Sequence, residues 1–583
     1  MAETATAGSA VNEAARAPRS ALSSAFRYFD PLNILWFVLI ATLVFLVVSP
    51  MAQLLISSFQ DSTDGSFTLQ NYIAAYGRAR YIEALVNTLM LGLVAALLSA
   101  IMGIPLAWAL SRTDVPYKGL IWLVVLGAFI VPPYLGAVGW ILLAGPRSGW
   151  LNQFWFSVSG ASDPIVNIYS FFGLALIIAL NSFPFIFLFT KSALDLISSE
   201  MEDAANILGA GAWTTMRRVT LPLAWPSIVA GFIIIFLETI ALFGAPALIG
   251  IPARLNVVTT QLWQFFEVPV RAEVAAAYAM PLLLVTIALM GVQRLMLARK
   301  GFVSQTGKGG ERRVIRLGAW RWPMFGYCAF VGLLSVLLPM IVLLQASFSK
   351  AWGRGFSLEN LTLKNYTYLL FQHDMAWTAI VNTFVYGFGA ATIAVLLALA
   401  IAYIVVRNLA MFANVLAFLC MAPFVIPGIV MAIGFYAAYA SPPLSLYGTG
   451  LLLVLAFTTR FLPIAYASSS ASIRSIHPEM EEAVRILGGT RLTALRRVVI
   501  PLLKRSLLGG WLLIFILATR ELSAAIFLVG PHTRTISVLL YDLSEEGNFE
   551  VLSALGGILL VITLAFVAIG MRLAGRDFML RRD

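Results

Sequence analysis

Long, unbroken apolar runs set the pattern of this chain. Runs such as Ile34-Leu-Trp-Phe-Val-Leu-Ile-Ala and Gly557-Ile-Leu-Leu-Val-Ile have no alternating polar position, so they are helical rather than barrel-like. One helix needs about 20 such residues to cross a bilayer core. Twelve stretches meet that length: 33–57, 84–110, 119–144, 169–190, 223–248, 275–293, 323–347, 378–405, 410–437, 447–470, 506–529 and 551–571. The pattern predicts an all-α polytopic membrane protein with twelve transmembrane helices. Composition narrows this further. Of 583 residues 60% are apolar and 11% charged, against about 25% charged in soluble domains, which excludes a compact soluble enzyme. Two cysteines and three scattered histidines exclude a disulfide framework or a zinc site.

Charge supplies the orientation. The net charge of +11 suits either a nucleic acid or a membrane surface. With a cytoplasmic N-terminus, 28 of the 39 basic residues fall on inner segments, 9 on outer loops, and two, Arg460 and Arg520, inside spans. That bias predicts cytoplasmic termini and no nucleic-acid partner. Residues 1–30 are rich in Ala, Ser and Thr and are expected to be a disordered cytoplasmic tail. A cleaved signal is not expected, because the first apolar run is too long and lacks a cleavage site. The Gly- and charge-rich stretch 299–320 reads as a cytoplasmic linker between transmembrane domains at 31–298 and 321–583.

Those domains are copies of one unit. Residues 200–223 (EMEDAANILGAGAWTTMRRVTLPL) match residues 479–502 (EMEEAVRILGGTRLTALRRVVIPL) at 13 of 24 positions. Fainter echoes pair Phe67–Tyr72 with Leu361–Tyr366, Val86-Asn-Thr88 with Val381-Asn-Thr383, and Pro133 with Pro427. Six spans per copy is an even number, so the copies insert in parallel and are related by a pseudo-twofold axis along the membrane normal. Each strong repeat predicts a short interfacial helix with acids at its start, ended by Gly209 or Gly488 in a left-handed conformation. Met201, Ala204/Ala205 and Leu208 share one face, as do Met480, Ala483/Val484 and Leu487. Two copies in register suit docking to a paired partner.

The repeat resembles the EAA loop of permease subunits in ATP-binding-cassette importers. It reads Asp203-Ala204-Ala205…Gly209…Val219-x-Leu221-Pro222 and Glu482-Ala483-Val484…Gly488…Val498-x-Ile500-Pro501. The resemblance implies coupling helices that engage two copies of a cytoplasmic ATPase through Glu202, Asp203, Ala204, Gly209, Glu481, Glu482, Ala483 and Gly488. It also implies a substrate-binding protein on the outer face and a bacterial inner-membrane location. The chain has no Walker-type phosphate loop. It is therefore expected to be a transport subunit without catalysis or a bound cofactor, with ATP and Mg held by its partners.

Four ionisable residues lie within predicted spans: Glu238, Arg460, Arg520 and Glu521. At a cost of a few kcal/mol each or more, such residues are functional candidates by default. They line or gate the translocation path, or they form a network that fixes how the halves pack. Arg520 is expected to pair with Glu238 and not with its helix neighbour Glu521, whose more plausible partner is Arg460. The segments Thr519-Arg-Glu-Leu-Ser-Ala524 and Phe236-Leu-Glu-Thr239…Phe243-Gly-Ala-Pro246 resemble fused double permeases of ferric iron importers; sulfate, thiamine, phosphonate and polyamine permeases share parts of the pattern. A hard cation suits Glu238 and Glu521, whereas the arginines suit an oxyanion. A twelve-span secondary transporter driven by protons through either glutamate is the alternative of a different class. Outer loops carrying Asp61, Asp64, Glu267, Glu273, Glu359, Asp542, Glu545, Glu546 and Glu550 form the expected docking face for a binding protein.

Overall fold

The structure is a computed structural model that describes residues 31–197, 199–299, 314–355, 357–410 and 412–574. The expected tail at 1–30 and most of the expected linker, 300–313, lie outside the described residues. Among the described residues there is no β-strand, only three isolated bridges. Ten helices are long and apolar enough to cross a membrane individually. In chain order these are Ile34–Ser58, Ala79–Arg112, Phe171–Leu196, Trp213–Ala241, Ala272–Met296, Gly318–Ser347, Asp374–Val406, Gly450–Arg474, Arg491–Thr519 and Phe549–Gly570. They are spans 1, 2, 4, 5, 6, 7, 8, 10, 11 and 12.

Spans 3 and 9 are each broken. Lys118–Ile130 meets Pro133–Ala144 at 101°, and Ala413–Val425 meets Gly428–Tyr439 at 113°. The cause is local: proline has no amide hydrogen and drives the preceding residue out of the helical region. Val131, Pro132 and Ile426, each followed by a proline, accordingly take ψ of 126°, 137° and 118°, and Pro427, at 139°, leads into the second arm of span 9. Both breaks still lie on chains that cross. Just before span 3, Thr113 and Asp114 pair with Ile315, at the start of span 7. After it, Trp150 stacks at 5.7 Å on Trp352, beyond the other end of span 7. Span 9 likewise starts beside Ile476 and ends where Thr533 bonds the Gly448 carbonyl, past span 11. Each pair is one broken span, so there are twelve crossings.

The two halves interlock by exchanging their first helices. Span 3 packs along span 7, and span 9 packs along span 1. Gly332 takes the Val124 side chain, Gly139 lies on Pro339, and Gly434 lies on Pro50 and Met51. Within each half, spans 2, 4 and 5 (or 8, 10 and 11) pack against one another. Small residues at the contacts, such as Ala95, Ala96, Ser99 and Gly103 on span 2, let the backbones approach where lipid provides no hydrophobic drive.

The duplication is written in buried hydrogen bonds. Thr88 accepts from the Val258 amide and Thr383 from the Ile536 amide, at 2.8 and 2.7 Å. Asn71 donates to the carbonyls of Ser58 and Gln60, and Asn365 to those of Ser347 and Ser349. Two expected boundaries shift. The helices of spans 5 and 11 end at Ala241 and Thr519, not at 248 and 529. Beyond those ends the chain continues buried but turned aside, through Phe243–Gly250 and Leu522–Leu528.

The interlock is testable. A Cβ on Gly139 would stand 2.7 Å from Pro339 Cβ and 2.9 Å from its backbone, whereas nothing lies within 4 Å of one on Gly291. Gly139→Ala should therefore destabilise the purified protein by about 1–3 kcal/mol, and Gly291→Ala should not. Equal melting temperatures for the two variants in detergent would show that the contact yields.

Candidate functional sites: two anchored loop helices and a charged cavity between the halves

The strong repeats form the helices Ser199–Ile207 and Glu479–Ile486 on one face of the bundle. Gly209 and Gly488 close them at φ +84° and +82°. The amides of Ala210 and Gly489 bond back to Ala205 and Val484 at 3.0 and 2.9 Å, the left-handed closure that glycine permits. The arginine pairs follow on single wide turns, Met216–Thr220 and Leu495–Val499, that lead into spans 5 and 11.

Acids at equivalent positions turn inward. Glu202 is buried; it accepts from Thr220 Oγ1 at 2.7 Å and lies 3.5 Å from Arg112 Nη2. Glu481 is buried against Arg407 at 2.7 Å and accepts from Tyr403 at 2.7 Å. Each arginine also meets carbonyls at the end of the neighbouring span. Arg112 donates to Leu194 and Ile197, and Arg407 to Ile473 and Ile476. The guanidinium thus ties three pieces of chain together where helix-end carbonyls lack donors. Of the eight expected coupling residues, Glu202 and Glu481 anchor the loop helices from inside. Asp203, Ala204, Gly209, Glu482, Ala483 and Gly488 are exposed. The most exposed apolar side chains here are Ile207 and Leu208, at 86% and 87%, and Ile486 and Leu487, at 85% and 88%; Ile207 and Ile486 lie outside the expected face. Arg112 and Arg407 were not among the sequence candidates. The signal for them was present, because the spacing that carries Thr88 onto Thr383 also carries Arg112 onto Arg407.

All four intramembrane charges line one cavity of about 440 Å³ between the halves. The expected partnership of Arg460 with Glu521 is present: Arg460 Nε lies 2.9 Å from Glu521 Oε2, and its guanidinium fills the space where a Cβ on Gly428 would stand. Glu521 also accepts from the Ala524 amide at 3.0 Å. Arg520 donates to the Phe129 carbonyl, with its guanidinium carbon 5.2 Å from the Phe129 ring centroid. The expected Arg520–Glu238 ion pair is not formed; the two groups are within Coulombic range only. Because span 11 ends at Thr519, Arg520 and Glu521 sit at and beyond a helix end, not side by side on a helix. Glu238, one turn before the end of span 5, is exposed to the cavity and makes no hydrogen bond or ion pair among the described residues.

On the side away from the loop helices, aromatic rings from both halves close the space above the cavity. Phe243 packs 6.2 Å from Phe527 and 5.6 Å from Tyr541, and Trp263 lies 5.6 Å from Phe527. The Phe243 amide meets Ser523 Oγ at 3.4 Å. Several acids of that face are already committed. Asp542 pairs with Arg534 at 2.6 Å, yet burial outweighs the arginine and pushes its carboxyl up. Glu550 accepts from the Trp352 amide. Asp61, half-buried, and Asp64, exposed, are held below the ordinary carboxylate value by hydrogen bonds from Thr63 and Ser66. Among the described residues no group of three His, Cys, Asp or Glu side chains could hold a metal ion.

Comparison with known proteins gives a consistent picture. Residues 72–301 match the family described as binding-protein-dependent transport system inner membrane component. The chain is 28% identical over 547 residues to a ferric transport system permease protein of Actinobacillus pleuropneumoniae, covering 91% of this chain and 76% of that one. A putative ferric transport system permease protein of Haemophilus influenzae is 28% identical over 86% of this chain and 78% of its own. The molybdenum transport system permease protein of Escherichia coli K12 is 30% identical over 193 residues, 32% of this chain and 80% of that one.

Buried ion pairs cost most when half removed. Arg407→Met should destabilise the protein by about 3–5 kcal/mol, whereas Arg407→Met with Glu481→Met should recover most of that loss. Thermal unfolding in detergent reads both. A double variant as unstable as the single one would mean that the carbonyl contacts, not the ion pair, carry the effect.

Proposed function

The chain belongs to the family of binding-protein-dependent transport inner membrane components, as the permease subunit of an ABC importer, and from that premise we propose that its cargo is Fe(III). An extracytoplasmic binding protein delivers the ion to the aromatic-closed face. Two copies of a cytoplasmic ATPase seat on the loop helices and drive the cavity between outward- and inward-open states. The permease domains are 31–298 and 321–583, joined by a cytoplasmic linker at 299–320, with both termini cytoplasmic. That orientation rests on the concentration of basic residues on the loop-helix face. The exposed Ile207–Leu208 and Ile486–Leu487 pairs, with Asp203 and Glu482 beside them, supply the apolar knobs and charge for two equivalent ATPase clefts.

The observation that carries the cargo assignment is the state of the four cavity charges. Both arginines are bonded to the protein, and so is Glu521. Glu238 is the carboxylate left open to the cavity, and a hard trivalent cation favours oxygen donors. The ferric transport relatives that align along most of the chain support the same reading. A single open carboxylate suits passage, since a tight site would hold the ion. An oxyanion path through Arg460 and Arg520 would first have to break their existing bonds.

The test is ATPase stimulation of the assembled complex by binding protein loaded with Fe(III), sulfate or a phosphonate in turn. Stimulation by the ferric form is expected; stimulation by sulfate or phosphonate alone would overturn the cargo. Uptake into proteoliposomes driven by a pH gradient without ATP would sink the importer reading itself. Glu238→Gln should lower ferric uptake about tenfold or more while assembly with the ATPase is kept.

A further inference from the structure

Span 3 breaks at a point where its backbone loses donors. In an intact helix the Phe129 carbonyl would accept from the amide four residues on. That residue is Pro133, which has no amide hydrogen. At membrane depth an open carbonyl has no water to turn to unless it lines a cavity. Arg520 meets it from the end of span 11, in the other half of the molecule. The second half solves the same problem within its own backbone. There Pro423 stands four residues before Pro427, and its carbonyl accepts from the Ile426 amide at 3.2 Å.

The bond across the halves occurs on one side only. Arg520 occupies the residue that closes the helix of span 11, and the equivalent residue of span 5 is Leu242. The acid next to Arg520 in the chain, Glu521, is engaged by Arg460. Glu238, on span 5 of the first half, lies within its Coulombic range and has no ion-pair partner among the described residues.

We propose that Arg520 is a latch across the halves, a positioning residue that holds the broken span 3 against span 11 while the aromatic face is closed. Opening that face parts spans 3 and 11, and the freed guanidinium turns to Glu238 in the same cavity. Arg520 thus sets how readily the halves separate; it does not bind cargo. This rests on the reading of the chain as an ABC importer permease, but not on the identity of the cargo.

The test measures basal ATPase activity of the permease–ATPase complex in lipid nanodiscs with no binding protein or cargo present. Arg520→Gln, which removes the charge and shortens the reach, should raise the basal rate about threefold or more by easing the resting equilibrium. Arg520→Lys, which keeps charge and a donor, should fall between it and the parent. A basal rate equal to the parent in both variants overturns the latch. If Arg520→Gln fails to assemble, Arg520→Lys decides alone: a raised basal rate supports the latch and a parental one overturns it. A parent complex that recruits no ATPase would instead be the failure of the importer reading.

Discussion

Hydrocarbon offers the peptide backbone no hydrogen-bond partner, and the rest of this structure answers to that constraint. Two spans break at prolines in mid-course, and two more end at Ala241 and Thr519 before their apolar runs finish. Each interruption leaves carbonyls that must be met from elsewhere. Arginine recurs as the answer, because one guanidinium can serve several acceptors and still pair with an acid. Arg112 and Arg407 serve the ends of spans 4 and 10, and Arg520 serves the break in span 3. At the span ends, and at the break in span 3, these arginines repair the backbone; of the four charges inside the membrane Arg520 does so, and all four line the cavity.

The scaffold kept its duplication while the cavity lost it. The buried asparagine and threonine bonds, the arginine–glutamate anchors and the glycine-closed loop helices recur in both halves. In the cavity the copies differ. Ser170 and Thr449 cap spans 4 and 10 at matching positions, which places Asn181 opposite Arg460. Asn181 lies against Gly136 of span 3, as Arg460 lies against Gly428 of span 9. Leu242 stands where the second half has Arg520. Folding demands the same anchors in both halves, but one cavity shared between them needs only one set of charges.

Span number and the loop helices were legible because they depend on short-range patterns: run length, an acid-to-glycine spacing, a repeated sequence. The bends were not, although Pro133 and Pro427 stood out as matched positions. Hydropathy records how apolar residues 118–144 are and is blind to their direction. The split between Glu202 and Asp203 was also hidden, since neighbouring acids on a short helix look alike until packing decides which faces inward. The Arg112–Glu202 pair required two spacings at once. One relates spans 2 and 8, the other relates the loops, and they differ by sixteen residues. Arg520 and Glu521 were misplaced for a simpler reason: an apolar run continuing to 529 hides a helix that stops at Thr519.

Span 10 shows how the loop face and the cavity belong to one mechanical unit. Arg460 on this helix holds Glu521 in the cavity, and carbonyls just past its other end hold Arg407 and, through it, Glu481 of the second loop helix. Fourteen residues separate Arg460 from Arg474, about 21 Å of continuous helix. An α-helix is stiff along its axis, and this one is tied by an ion pair at Arg460 in mid-course and by hydrogen bonds from Arg407 at its loop end. Span 4 ties the first loop helix through Leu194 and Ile197, but at the position of Arg460 it carries the neutral Asn181, set against Gly136 with no acid to grip. A load applied equally to both loop helices therefore meets a charged grip at the cavity on one side and a neutral contact on the other. In that arrangement a symmetric load on the loop helices produces an unsymmetric change at the cavity, with Glu521 and its neighbour Arg520 on the side that is gripped.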